Sequence, residues 1–142
     1  MSIADRLGEL GLTIPAVVSG RHVFTAGQLP FVDGALPVTG KVGSEVDAAT
    51  ATAQARQAAL NGLAAVQSVA GSLDRVAKVV KLTVFVASDP SFTGQPGVAN
   101  GASQLVGDVF GEAGVHARSA VGVAVLPLDA PVEVELIVEL TD

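Results

Sequence analysis

The sequence predicts an α+β fold in which a mixed β-sheet carries two helices on one face. Three observations lead there. Residues Val132–Leu140 alternate without a break, with Val132, Val134, Leu136, Val138 and Leu140 on one face and Glu133, Glu135, Ile137 and Glu139 on the other. That is the period of a half-buried strand. Residues 75–88 hold a second such run, with Val80, Leu82, Val84 and Val86 sharing a face. An Ala-rich window between residues 47 and 70 has high helix propensity. At 142 residues, one domain spanning 1–142 is expected.

Taken in order, Ser2 can cap a short helix to about residue 9, with Ile3, Leu7 and Leu10 at helical spacing. Gly8 and Gly11 weaken and end it, and residues 12–20 read as extended. A strand follows at 22–26, with Val23 and Thr25 on one face and Phe24 and Ala26 on the other. Gly27 then allows close backbone approach. An irregular second strand is predicted over 31–38 around the Asp33-Gly34 turn signal. Ser44 to Asp47 reads as a capping box with Ser44 as the cap. The long helix then runs to about Ala70, its heavier stripe made by Leu60, Leu63 and Ala64, and Gly71 supplies the C-cap.

Asp89-Pro90 stops the strand at 75–88, and 91–97 is a loop. A second helix covers 98–110, with Ala102, Leu105 and Val109 facing the sheet. Residues 119–126 are small or β-branched, which suits a strand packed on both faces. Pro127 and Pro131 bracket a turn before the last strand. The order is β-β-α-β-α-β-β, a two-layer arrangement. The uncovered sheet face would show Phe85, Ile137 and, depending on register, Val121, Val123 and Val125. Such a face is expected to meet other subunits.

Composition narrows the function classes. The chain is 49% hydrophobic but only 4% aromatic, with no Trp and no Tyr, so Ala, Val and Leu must build the core. A net charge of −6 argues against binding nucleic acid through its phosphates. The absence of cysteine excludes disulfides and thiolate chemistry, and His22 and His116 alone cannot make a histidine-rich metal site. No cofactor is expected. No apolar run approaches membrane-spanning length and no signal peptide is apparent, so a cytoplasmic location without membrane contact is the default expectation.

Two residues stand out chemically. Arg118 is the only Lys or Arg after Lys81, at the mouth of an apolar strand. Its planar fork matches a carboxylate with two parallel hydrogen bonds; a salt bridge to one of the many acids is the plainer alternative. Glu133, if it faces an apolar cleft, would have a raised pKa suited to proton exchange; it could equally be a solvated acid beside Glu135 and Glu139. If the last two strands form a hairpin centred on Leu128-Asp129, Glu133 faces about Ala124. Arg118 then lies about 20 Å away at roughly 3.3 Å per residue, and the two share a site only between chains. His116, two residues before Arg118, could contact a substrate or sit at the rim as a plain loop histidine. Ser119 lacks a histidine–acid partner pattern, and the glycines at 94, 97 and 101 are followed by no Gly-Lys-Ser/Thr.

Several motifs occur in a telling order: Thr25-Ala26-Gly27-Gln28-Leu29-Pro30, Gln54-Ala55-Arg56-Gln57, the run from Val79 to Val86, then Arg118, Leu126-Pro127 and Val132-Glu133-Val134-Glu135. Together they resemble the RidA/YjgF family of enamine/imine deaminases, also labelled endoribonuclease L-PSP, over about residues 20–140. The resemblance implies a chorismate-mutase-like fold and a homotrimer with sites in the clefts between subunits. It implies that Arg118 holds the carboxylate of a small 2-imino or 2-keto acid, supported by backbone N–H groups near Ala120 and Gly27. Glu133 would orient the attacking water, and Asn100 would tie strands or subunits together. Thr13 and Ala26 stand where the resembling enzymes carry a tyrosine and a serine lining the cleft. The function implied is an imine deaminase; the alternatives are a non-catalytic small-carboxylate-binding trimer and, against the acidic charge, an endoribonuclease.

Overall fold

The computed structural model describes residues 14–142. The Ser2 helix and Thr13 lie outside the described residues. Seven main elements follow: β1 (Ala16–Ser19), β2 (His22–Thr25), α1 (Ala48–Ala70), β3 (Val76–Ala87), α2 (Gln95–Phe110), β4 (Ala117–Val123) and β5 (Val132–Leu140). The β-β-α-β-α-β-β order holds and the strand expected at 22–26 is present as β2, but its partner is 16–19, ahead of it, and not 31–38. The strands are 16–19 and 22–25, joined at Gly20, whose φ of +62° suits a residue without a Cβ. The 31–38 segment makes only one bridge, Val32 to Ala35, around Asp33 and Gly34, both at positive φ. The turn signal there is real, but Pro30 and Pro37 flank it and cannot donate to a ladder.

The sheet runs β1-β2-β5-β3-β4. β5 is antiparallel to both neighbours, β2 and β3, and β4 is parallel to β3 through the α2 crossover. The hairpin between the last two strands therefore does not exist: β3 lies between them. Eight residues, 124–131, connect β4 to β5 past the end of β3. They include a 3₁₀ turn at Pro127–Asp129 in which Leu128 and Asp129 both have φ of 58°. β4 also ends sooner than expected, at Val123, and is an edge strand instead of one packed on both faces.

Both helices cover one sheet face, as expected. α1 is capped by Asp47 and not by Ser44: the Asp47 carboxylate accepts the Thr50 N–H at 2.8 Å. Ser44 belongs to the preceding turn, with its N–H on the Lys41 carbonyl. Gly71, at φ 85°, closes the other end. The buried stripe is Ala51, Ala55, Ala58, Ala59, Gly62, Leu63 and Val66. Leu60 and Ala64 face outward, as does Val109 on α2. The reason is distance. Leu136 rises from β5 beneath Gly62, where any Cβ would press on it, so only small side chains let α1 sit this low.

The two helices touch with equal economy. A Cβ placed on Gly101 of α2 would overlap the Thr52 carbonyl of α1. A backbone oxygen cannot rotate aside, so the helices would have to part. Gly101→Ala is expected to destabilise the protein by about 1–3 kcal/mol, although alanine is the better helix former. Chemical denaturation followed by circular dichroism checks this, with the exposed Gly97→Ala as the control.

Candidate functional site

Register decides where each candidate side chain goes. Arg118 lies opposite Leu82, which in turn lies opposite Leu136. Leu82 and Leu136 point at the helices, so Arg118 does too, at the sheet's free edge. There its Nη1 donates to Asn100 Oδ1 at 2.8 Å and to Ser103 Oγ at 3.2 Å. Asn100 and Ser103 are three apart on α2 and so share a face. Ser103 Oγ lies 3.0 Å from His116 Nε2, and His116 Nδ1 lies 2.6 Å from the Gly114 carbonyl. Ala120, two residues along β4, packs half-buried against the core on the same face.

Among the described residues, Arg118 has no carboxylate partner: the ion pairs there involve Arg21, His22, Lys41 and Arg56. Its Nε and Nη2 likewise make no hydrogen bond to a described residue. The side-on edge of the guanidinium, which presents two parallel N–H groups, thus has no partner among the described residues. That edge matches a carboxylate.

Glu133 is placed differently. It lies opposite Phe85, which lies opposite Val121, on the open face of the sheet. Arg118 and Glu133 are therefore on opposite faces within one chain. Gly27 sits against the Glu133 carboxylate so closely that any Cβ there would overlap it. Gln28 fixes this approach by pairing with Val134 through two backbone hydrogen bonds of 2.8 and 2.9 Å. Ala26, exposed beside Gly27, is tied to the Pro15 carbonyl. Burial pushes the Glu133 carboxyl above its ordinary range, and the like charge of Glu135 adds to the effect. Lys81, on the same face, is committed to Ser119 Oγ at 2.9 Å.

The same fold, and a measurable share of the residues, occurs in known proteins. The profile of the family described as "YjgF/chorismate_mutase-like, putative endoribonuclease" matches residues 2–140. This chain belongs to that family. Protein TCP17 of Trypanosoma cruzi is 46% identical over 152 residues, covering 99% of this chain and 95% of that protein. The crystal structure of Atu1372 from Agrobacterium tumefaciens, a protein of unknown function, superposes with a TM-score of 0.87 at 46% identity, covering 96% and 91% of the two chains. TdcF of Escherichia coli, crystallised with bound serine, gives 0.64 at 28% identity, covering 92% and 90%. The α+β fold with two helices on a mixed sheet is the YjgF/chorismate-mutase-like fold.

In this YjgF-family chain, then, the residues singled out from sequence form two groups. Arg118, Asn100, His116 and Ala120 gather at the β4 edge; Ala26, Gly27 and Glu133 gather across the sheet. His116 uses both ring nitrogens within the chain. Ser103 was not singled out, though its spacing from Asn100 was the available signal. Thr25 was also missed as a polar anchor: its buried hydroxyl accepts the Leu136 N–H at 3.0 Å, where the β2–β5 ladder stops. A concavity of about 370 Å³ between α1 and the 28–31 segment is separate from both groups. Its Asn61 amide is already bonded to the Leu29 and Phe31 carbonyls.

The environment of Glu133 has a thermodynamic consequence. Its folded-state pKa is raised above the ordinary 4.5, so the folded chain holds that proton more tightly than the unfolded chain. Stability is accordingly lost as pH rises from about 4.5 through the folded value. Glu133→Gln should melt at a higher temperature than wild type at pH 7, with the gap closing below pH 4.5. Thermal melts at both pH values check the sign.

Proposed function

We propose that the chain binds small 2-imino or 2-keto acids and hydrolyses the imine, with Arg118 of one subunit facing Gly27 and Glu133 of a neighbour across a cleft in a homotrimer. The observation that carries this reading is the Arg118 guanidinium, anchored through Nη1 with no partner for its side-on edge among the described residues. The two-chain site follows from the opposite faces taken by Arg118 and Glu133. Exposed apolar side chains on the open face, Val17 at 51%, Phe24 at 41% and Val121 at 43%, favour burial against another copy. The serine bound to the TdcF relative is itself a small amino-acid carboxylate.

The chemistry needs no cofactor in this reading. A protonated imine is already electrophilic at C2. Water adds its oxygen to C2 while Glu133 takes one of its protons and returns it to the nitrogen. The C–N bond then breaks as Glu133 accepts the remaining hydroxyl proton and passes it to the departing ammonia, which leaves as ammonium with the 2-keto acid. A carboxyl whose proton affinity is raised by burial is suited to accepting and returning a proton. Arg118 holds the substrate carboxylate so that C2 stays in line with the water. Binding without turnover in the same cleft is the second reading, supported by Ala26, which places no hydroxyl beside Gly27. Ribonuclease action is disfavoured by the net charge of −6. A cytoplasmic site of action fits this chemistry.

Calorimetric titration with pyruvate or 2-ketobutyrate tests the anchor. A charge-assisted hydrogen bond to a carboxylate is worth roughly 1.5–3 kcal/mol, so Arg118→Ala should weaken binding by about 10- to 150-fold. Arg118→Lys should rescue little, because an ammonium lacks the two-pronged geometry. Keto-acid release from a freshly generated imine separates catalysis from binding alone. Sedimentation should show a trimer for wild type and both variants; a monomer at micromolar concentration would exclude the two-chain site.

A further inference from the structure

We propose that Ser103 and His116 form a one-way hydrogen-bond relay that fixes the Arg118 guanidinium with its Nε/Nη2 edge outward, making both of them positioning residues for carboxylate capture. The polarity follows from which groups can donate. The Gly114 carbonyl only accepts, so His116 Nδ1 carries the proton in their 2.6 Å contact. Arg118 only donates, so Ser103 Oγ accepts at 3.2 Å. The single Ser103 hydroxyl proton is then free for His116 Nε2 at 3.0 Å. Every donor in the chain Arg118, Ser103, His116, Gly114 points the same way, which a neutral Nδ1–H imidazole satisfies completely.

Placement supports a role beyond packing. A serine within a helix commonly bonds back to its own helix carbonyls; here the Ser103 hydroxyl is spent across to the neighbouring loop and strand. Asn100 supplies the second acceptor for Nη1 at 2.8 Å. Both Nη1 protons are therefore held, which stops rotation of the guanidinium and leaves only one bidentate edge for a ligand. Pre-organising that edge removes part of the ordering cost of binding.

The relay rests on Arg118 being the carboxylate anchor, and the experiment separates the two. In the full-length protein, nitrogen-15 NMR of the imidazoles should show His116 protonated at Nδ1 and accepting at Nε2; the opposite tautomer overturns the relay. The two Arg118 Nη groups should give resolved signals in wild type and Ser103→Thr, which keeps the hydroxyl, and averaged ones in Ser103→Ala. Pyruvate affinity should fall roughly three- to tenfold in Ser103→Ala and His116→Asn and stay near wild type in Ser103→Thr, with thermal melts as the fold control. Unchanged affinity and resolved Nη signals in Ser103→Ala refute the relay even where Arg118→Ala abolishes binding. Unchanged affinity in Arg118→Ala refutes the anchor instead, and the NMR signals alone then decide whether the relay exists.

Discussion

The structure depends on one strand being paired on both sides. β5 lies between β2 and β3, antiparallel to each, and its strict alternation sends five apolar side chains to the helices and four others to the open face. A slip of one residue would drive Glu133, Glu135 and Glu139 into the core and expel Leu136 and its neighbours. Everything else is held to this register. α1 can approach only because Gly62 lies over Leu136, and Gly27 meets the Glu133 carboxylate only because Gln28 pairs with Val134. The placement of Glu133 is therefore a consequence of core packing, and its perturbed proton affinity comes with it.

The same register explains the division of the chemistry. The helix-facing positions of β4 carry Arg118 and Ala120, within reach of α2, while the open-face positions of β5 carry the acids. A sheet separates the groups on its two sides, so within one chain Arg118 and Glu133 stay apart. Arg118 stands on the edge strand β4. Its guanidinium is held by the neutral acceptors Asn100 and Ser103 and has no carboxylate partner among the described residues, whereas Arg21, Lys41 and Arg56 have each found one.

Much of this was legible in the sequence because the informative stretches are long. The alternation of β5, that of β3 from Leu82 to Val86, the Ala-rich α1 ending at Gly71, and α2 from Val98 to Phe110 all follow from periodicity; a bulge gives Val79, not Val80, the next buried place on β3, and α2 starts earlier, at Gln95. What failed did so for local reasons. Four-residue strands such as Ala16–Ser19 contain too few positions to show a period, so the strand assignment went to 31–38 instead. Bulk misled as a guide to the buried face: Leu60 and Val109 point outward because the inner face needs small residues. Strand adjacency is not a local property, so the parallel β3–β4 pairing that separates β4 from β5 could not be read from the residues between them. The site was half legible. Arg118, Asn100 and Glu133 were visible as types in motifs, but Ser103 acquires its importance only from the neighbours that folding brings to it.

The central place of β5 also bears on how the chain is made. A ribosome delivers β1 and β2 first, and their partner on the sheet is the stretch made last among the described elements, residues 132–140. Until that stretch emerges, β3 has an open edge on the side that β5 will fill, and the β1–β2 ribbon has no neighbour. Isolated two-stranded ribbons are marginal in water. The nascent chain must therefore carry its aliphatic strand surfaces unpaired through most of synthesis, and closure of the sheet is a late, long-range event of the kind that folds slowly and invites association. Insertion of β5 joins the two ends of the sheet and brings Glu133 against Gly27 in a single step, so an incompletely synthesised chain lacks that arrangement.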